Sequence, residues 1–179
     1  MKHAFEDRQS AAIVRTTSNA GESTEENHRM PVAVEVAASV DDRLVSAFAH
    51  LIPQLSKSNP APDAAALQAI VDHQACHLLV ATEGDAILGA LTLVVFPIPT
   101  AMRAWIEDVV VDGSARGKGV GEALSVRAIE LASSLGAKTV ELTSRPSREA
   151  ANRLYQRIGF QARETNVYRY TVDSAFTNV

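Results

Sequence analysis

The chain has 179 residues, of which 46% are hydrophobic and 21% charged, and these proportions are typical of one globular domain with its own core. Its net charge of −4 argues against nucleic acid as the main partner, and its single cysteine, Cys76, cannot form an internal disulfide. The longest apolar run, 87–96, is too short to cross a bilayer as a helix, and the amino terminus lacks the apolar core of a secretory signal. We therefore expect a cytoplasmic protein that does not act at a membrane.

Residues 1–30 show little periodicity and include a polar stretch at 16–27. Such a segment has too few apolar side chains to form a packed element, so we expect a disordered or loosely attached tail. The alternating pattern of an α/β domain begins directly after it. We therefore assign residues 31–179 to a single domain.

The first part of this domain predicts a strand and two helices. Valines at every second position predict a strand over 32–38. A helix follows it, because Asp41 and Asp42 suit a first turn and apolar residues then recur at helical spacing, with a kink expected at Pro53. A second helix is expected to begin near Asp63.

Two apolar runs come next, at 77–82 and 87–96, and the turn residues between them are typical of an antiparallel hairpin. We expect a longer loop over 97–103. It leads to a strand at 104–111 that is rich in β-branched residues. This strand precedes the segment that carries the chemistry.

Three glycines and two cations lie where that strand turns into an amphipathic helix, which Gly136 is placed to end. Glycines leave backbone N–H groups uncovered, and the positive helix end lies behind them, so the geometry suits an anion. A nucleotide P-loop would need Ser or Thr after Gly-Lys, and a dinucleotide fingerprint would need other glycine spacing. A tight turn without a ligand stays open as an alternative. The segment consists of Arg116, Gly117, Lys118, Gly119, Val120 and Gly121.

This segment resembles the pyrophosphate loop of the GNAT superfamily of acyltransferases, whose pattern is Gln/Arg-x-x-Gly-x-Gly/Ala. Residues 149–160, which include Asn152, Tyr155, Gly159 and Phe160, are similar to a second GNAT signature, Asn-x-x-Ala/Leu-Tyr-x-x-x-Gly-Phe. The two motifs occur in the family's order and at the expected distance. The resemblance covers about residues 31–172 and is strongest over 104–170.

The resemblance implies an α/β (α+β) GNAT fold, with a mixed central sheet of about six or seven strands flanked by about four helices. The sheet would be splayed between its fourth and fifth strands. Acetyl-CoA would bind there, with its pyrophosphate on residues 116–121 and its pantetheine arm paired to the backbone of Val109, Val110 and Val111. A homodimer through the last strands, at 160–172, is open.

Acyl transfer to an amine needs a group that accepts the amine's proton, and two adjacent carboxylates stand on the 104–111 strand. Because side chains alternate between faces, only one of them can point into the substrate cleft. We favour Glu107 as the base, since its parity matches Trp105, Val109 and Val111, and keep Asp108 in reserve. The other carboxylate would be solvated or cap a loop.

The remaining roles come from the resemblance. Tyr155 would be the general acid that protonates the leaving CoA sulfur, with a purely structural core aromatic as the alternative. Asn152 would contact pantetheine amides, with a capping or surface role as the alternative. A backbone N–H near Val109 would polarise the thioester carbonyl. The histidines His50, His73 and His77 lack metal-ligand spacing, so no metal is expected.

The sequence therefore predicts an N-acetyltransferase that moves an acetyl group from acetyl-CoA to a primary amine by direct attack in a ternary complex. A small amine or amino acid is the favoured acceptor, followed by a peptide amine and then an amino sugar. The main alternative is a non-catalytic acyl-CoA-binding module with a degenerate GNAT fold. A nucleotide-binding regulator is disfavoured by the spacing of the glycines.

Overall fold

The structure is a computed structural model that describes residues 32–172, so the expected tail at 1–30 lies outside the described residues. A short 3-10 turn, Gly113–Ala115, precedes the third helix. The strands and helices, in chain order, are β1 (Ala33–Val36), α1 (Asp42–Leu55), α2 (Ala64–Val71), β2 (Cys76–Glu83), β3 (Ala86–Ile98), β4 (Ala101–Val111), α3 (Val120–Ser134), β5 (Thr139–Leu142) and α4 (Glu149–Arg157).

The strands form one mixed sheet in the order β1-β2-β3-β4-β5. The first four are antiparallel neighbours, and only β4 and β5 run parallel. The α/β class, the mixed sheet and the four helices agree with prediction, but 32–172 hold five strands where six or seven were expected. Residues 161–172 form no strand, and every one of them is exposed, so no packed face holds them against the sheet.

Each face of the sheet is covered by helices. Helix α3 packs Val120, Leu124 and Ala128 on one face, against strand residues such as Leu91 and Ile106. Helices α1 and α2 cover the opposite face in a second cluster, with Leu44, Phe48, Leu51, Leu67, Leu78, Val80, Ala90 and Val110 buried. Burial on both faces explains the near-continuous apolar runs of the central strands.

Helices α1 and α2 each begin directly after an aspartate that caps the first turn. The Asp41 carboxylate accepts a hydrogen bond from the Leu44 N–H at 2.7 Å, and Asp63 accepts one from the Ala66 N–H at 2.8 Å. Such caps satisfy N–H groups that have no partner within the helix. Both predicted starts are confirmed, and α1 continues two residues past Pro53.

The predicted hairpin of β2 and β3 is confirmed, but the longer loop expected over 97–103 is wrong. Strands β3 and β4 pair as far as Ile98 and Ala101, so only Pro99 and Thr100 connect them. Pro97 lies inside β3, opposite Met102. Proline is tolerated near the end of a strand where its missing N–H is not needed, so it did not break the strand.

Within 32–172, no helix has the length and apolar character that crossing a membrane requires. The same residues contain no group of three or more His, Cys, Asp or Glu side chains placed to hold a metal ion.

Candidate active site

Strands β4 and β5 separate part-way along β4. They pair over four positions, from Arg103 opposite Thr139 to Ile106 opposite Leu142. Beyond Ile106, β4 continues to Val111, and within residues 32–172 this stretch pairs only with β3. The stretch 107–111 therefore has one edge of backbone groups directed away from its only partner strand, as expected of the splayed sheet.

A β-bulge lies in the pairing of this stretch with β3. Thr92 of β3 faces Glu107, whereas Ala90 faces Val110, so Asp108 and Val109 together oppose a single residue, Leu91. Asp108 has φ of 52°, a left-handed conformation that Asp adopts more readily than most residues. A bulge leaves its extra residue out of the ladder and redirects the side chains around it.

The bulge changes which side chains share a face. Ala104 and Ile106 pack in the cluster under α3, and so do Val109 and Val111, while Val110 is buried under α1 and α2. In a regular strand every second residue lies on the same face, but here Ile106 and Val109 share a face although they are three residues apart. The predicted alternation that places Glu107 on the face of Val109 and Val111 is wrong.

The two carboxylates next to the bulge have different surroundings, although both residues are exposed. The Trp105 indole N–H donates to Glu107 Oε1 at 2.7 Å, which ties this carboxylate to its own strand. Asp108 lines a cavity of about 240 Å³ on the side of α1 and α2. The position that we held in reserve therefore lines a cavity.

The glycine-rich turn is open where an anion would approach. Gly117 and Gly119 have φ of +76° and +81°, and a Cβ at either would meet no atom within 4 Å. Gly119 is the N-cap of α3, and because it has no side chain it cannot accept a hydrogen bond from the first turn. Among the described residues, the N–H groups of Val120 and Gly121 have no hydrogen-bond acceptor at the positive helix end.

Charged and small residues complete this turn. Arg116 and Lys118 are both exposed on it. A Cβ at Gly121 would lie 3.4 Å from Leu154, so the missing side chain lets α4 approach the start of α3. The residues present fit a pyrophosphate, because they combine free backbone donors, two cations and unfilled space.

Sequence reasoning missed a polar cluster that joins α1 to this turn. Asp112 directly follows β4, and its carboxylate contacts the His50 ring and accepts from Gln54 Nε2 at 3.2 Å. Gln54 Oε1 also accepts from the Gly113 N–H at 2.9 Å. The Ser114 hydroxyl and N–H both donate to Asp112, and these hydrogen bonds are the main cause of a strongly lowered pKa of its carboxyl.

One part of this cluster has a recognisable sequence pattern. Asp112-Gly113-Ser114 is a typical side-chain-capped turn, in which Asp bonds the N–H two residues on. Its partners on α1 lie 58 and 62 residues earlier in the chain, and no local pattern marks that contact.

Tyr155 of α4 is half-buried, and burial raises the pKa of its phenol. Its ring packs edge-on against Phe160, with centroids 5.8 Å apart. Phe160 in turn packs on the cluster under α3, and the neighbouring Leu154 approaches Gly121. The predicted acid therefore lies on a helix that packs beside the glycine-rich turn.

Asn152 holds the chain that leads into α4. Its side-chain amide donates to the Arg145 carbonyl at 3.0 Å and lies 3.5 Å from the Pro146 carbonyl. These contacts tie the loop before α4 to the helix and are not a helix cap, because a capping side chain accepts hydrogen bonds from helix N–H groups. The contact with pantetheine stays a prediction.

The sequence of this chain matches the model of the acetyltransferase (GNAT) family over residues 44–160. That match covers well over half of the chain and includes both motifs. The chain belongs to the GNAT family of acetyltransferases. Members of this family generally use acetyl-CoA, which agrees with the anion-binding turn beside the splayed strands. Among proteins of curated function, no significant match was found.

Solved structures of similar fold include proteins of several kinds. A transcriptional regulator from Bacillus halodurans C-125 is 27% identical, with a TM-score of 0.68 over 79% of this chain and 100% of that one. A Trypanosoma brucei acetyltransferase is 26% identical, with a TM-score of 0.64 over the same shares. An aminoglycoside acetyltransferase from an uncultured soil sample, in complex with sisomicin, is 21% identical, with a TM-score of 0.69 over 79% and 95%. At that identity the last likeness concerns the fold alone.

Proposed function

We propose that this protein transfers an acetyl group from acetyl-CoA to a primary amine by direct attack in a ternary complex, at the bulge of β4. The observation that carries the proposal is the adjacency along the chain of the free β4 edge at 107–111 and the open turn at 116–121. The first suits an extended amide chain, and the second suits a pyrophosphate. Acetyl-CoA contains both groups and supplies the acetyl group as a thioester.

The turn would hold the pyrophosphate through the N–H groups of Val120 and Gly121, with Arg116 and Lys118 adding positive charge. Gly117 and Gly119 keep the approach clear because neither has a side chain. Backbone groups of Val109, Val110 and Val111 would pair with the pantetheine amides. The apolar side chains of these valines pack in the two cores, so each residue serves the fold and the ligand at once.

The bulge suits the reacting carbonyl. The thioester oxygen gains negative charge as the amine attacks, and a backbone N–H that is free of the sheet ladder can donate to it. We propose that the Val109 N–H does so. A fixed donor of this kind requires little reorganisation during the reaction.

The acceptor enters the site as an ammonium ion, since alkylamines have pKa values of about 10. We propose that Asp108, which lines the cavity, attracts this ammonium and receives its proton, directly or through water. Glu107 stays the alternative base, but its Oε1 already accepts from Trp105. The uncharged amine then attacks the carbonyl carbon, and the carbon–sulfur bond breaks.

Tyr155 would give its phenolic proton to the departing sulfur, and the proton that the nitrogen loses as the amide forms would restore the phenol, directly or through water. Because burial raises the pKa of this group, the hydroxyl stays protonated throughout the neutral range and is available as a donor. The packing against Phe160 limits the directions in which the ring can point.

The experiment that tests this proposal is release of free thiol from acetyl-CoA in the presence of a panel of amines, amino acids, peptides and amino sugars. Amine-dependent release, with the acetylated amine identified by mass spectrometry, is the expected result. If acetyl-CoA binds tightly and no amine on the panel is acetylated, the alternative of a non-catalytic acyl-CoA-binding module replaces the proposal. If CoA does not bind, the assignment of the turn at 116–121 is wrong.

A further inference from the structure

We infer that the acceptor is a primary amine with a single positive charge and an apolar body, such as an alkylamine or arylalkylamine, and that its apolar body binds in the cavity beside Asp108. The inference rests on the proposed acetyl transfer and adds the chemical class of the substrate.

The lining of the cavity carries the inference. Helices α1 and α2 contribute Phe48, Ile52, Leu55 and Ile70, and Leu78 comes from β2. Asp108 is the only ionisable side chain among the described residues that line it. One carboxylate in a mostly apolar lining with no other charge matches a ligand with one cation and a hydrocarbon body.

The size of the cavity sets an upper limit on the part of the ligand that is enclosed. At about 240 Å³ it is smaller than the pockets of about 300 to 1,000 Å³ that enclose drug-sized ligands. It is larger than the engineered apolar cavity of about 150 Å³ that binds benzene. One ring with a short linker, or a chain of about six carbons, is therefore the expected occupant.

A polycationic acceptor does not match this surface. An aminoglycoside or a polyamine carries several ammonium groups, and each would need a partner or water on leaving solvent. The other polar side chains that line the cavity are Ser56, Asn59 and Thr92, which are uncharged. This chain therefore shares its fold with an aminoglycoside acetyltransferase, but the inferred acceptor is of a different chemical class.

The segment between α1 and α2 forms one wall and is stiffened by two prolines, Pro60 and Pro62, that line the cavity. Proline fixes its own φ, so this wall loses little conformational freedom when a ligand binds. A preformed apolar wall favours selection by length and shape.

The test is to measure kcat/KM for acetyl transfer to n-alkylamines from methylamine to octylamine and to phenylethylamine. Spermidine and sisomicin are measured in the same way as polycationic acceptors. We expect kcat/KM to rise about fourfold per added methylene until the cavity is full, because each buried methylene contributes that factor, and then to level or fall. Spermidine and sisomicin should be at least tenfold poorer than hexylamine.

Two variants of Ile52 and one matched control sharpen this test. Ile52→Trp should lower kcat/KM for hexylamine at least tenfold more than for methylamine, and Ile52→Ala should move the optimum to a longer chain. Val126→Trp is the control, because Val126 is exposed on α3, on the other side of the sheet, and both amines should react as with the wild type. Equal losses for hexylamine and methylamine in Ile52→Trp would contradict the inference.

The outcomes separate the inference from the function on which it rests. If sisomicin, spermidine or a polar amino acid is the best acceptor, or if chain length has no effect, the inference is wrong while the proposed acetyl transfer holds. If no amine is acetylated although acetyl-CoA binds, the proposed function fails. Calorimetric titration of hexylamine into the CoA complex then decides the inference separately, and absence of binding would overturn it too.

Discussion

The bulge at Asp108 and the turn at 116–121 lie close together in the chain, but different parts of the sequence determine their structures. The turn at 116–121 is built from its own glycines and the helix that follows, so its open backbone follows from local sequence. The bulge at Asp108 depends on how β4 pairs with β3, which lies earlier in the chain. In the proposed mechanism, the binding of the CoA pyrophosphate therefore depends on local sequence, whereas the placement of the proposed reacting groups depends on how β4 pairs with β3.

The largest effect should come from the bulge. Asp108→Asn keeps the size of the side chain and removes its charge, so kcat should fall about 1,000-fold, as expected for loss of a general base. Glu107→Gln is the matched control and should lower kcat less than tenfold, because its carboxylate faces Trp105. Steady-state kinetics at saturating acetyl-CoA measures both. A greater loss in Glu107→Gln would restore the assignment that the sequence favours.

Loss of the acid should have the next largest effect. Tyr155→Phe keeps the packing against Phe160 and removes the hydroxyl, so kcat should fall about 100-fold with little change in KM for acetyl-CoA. Tyr168→Phe is the control, since Tyr168 is exposed and should tolerate the change. An unchanged kcat in Tyr155→Phe would leave the residue with only a structural role.

A change in the turn should weaken cofactor binding without stopping the chemistry. Gly119→Ala places a Cβ in the approach to the N–H groups of α3 and strains a φ of +81°, so KM for acetyl-CoA should rise about tenfold. Gly84→Ala carries similar strain, at φ of +59° with equal free space, in the turn between β2 and β3. Its KM should stay at the wild-type value. Equal effects on KM would mean that strain, not the anion site, is responsible.

The cluster around Asp112 should affect stability more than catalysis. Its lowered pKa means that the unfolded chain binds more protons, so the contribution of Asp112 is complete above pH of about 4 and is lost progressively below that. Asp112→Asn should reduce the free energy of unfolding by about 1 to 3 kcal/mol at pH 7. Urea denaturation at pH 7 and pH 3 should show that the difference in free energy of unfolding between the wild type and Asp112→Asn is smaller at pH 3. An equal difference at both pH values would contradict the assignment of this stability to the ionised Asp112.

Most of the fold could be predicted from residues whose effect is local. Asp41 and Asp63 mark helix starts, and the two apolar runs with turn residues between them mark the hairpin of β2 and β3. Pro97 misled the prediction, because a proline near a strand end resembles a proline in a loop. The ladder that extends past it is seen only once β4 is paired.

The motifs of the candidate site could be predicted from the sequence, but the face of β4 on which each side chain lies could not. Strict alternation along β4 favours Glu107, and one extra residue in the strand reverses which side chains share a face. No single residue in the sequence marks this bulge, since Asp108 is not a glycine. The His50–Asp112 contact was missed for a related reason, because its partners come together only when α1 packs near the end of β4.

The most direct test of the central claim is hydrogen exchange of the backbone amides with and without CoA, followed by mass spectrometry at peptide resolution. The account predicts that CoA slows exchange in two peptides, one spanning 107–111 and one spanning 116–122, because the free strand edge and the turn form two parts of one binding site. Protection of the turn alone, with unchanged exchange at 107–111, would contradict the claim that the splayed strand holds the cofactor.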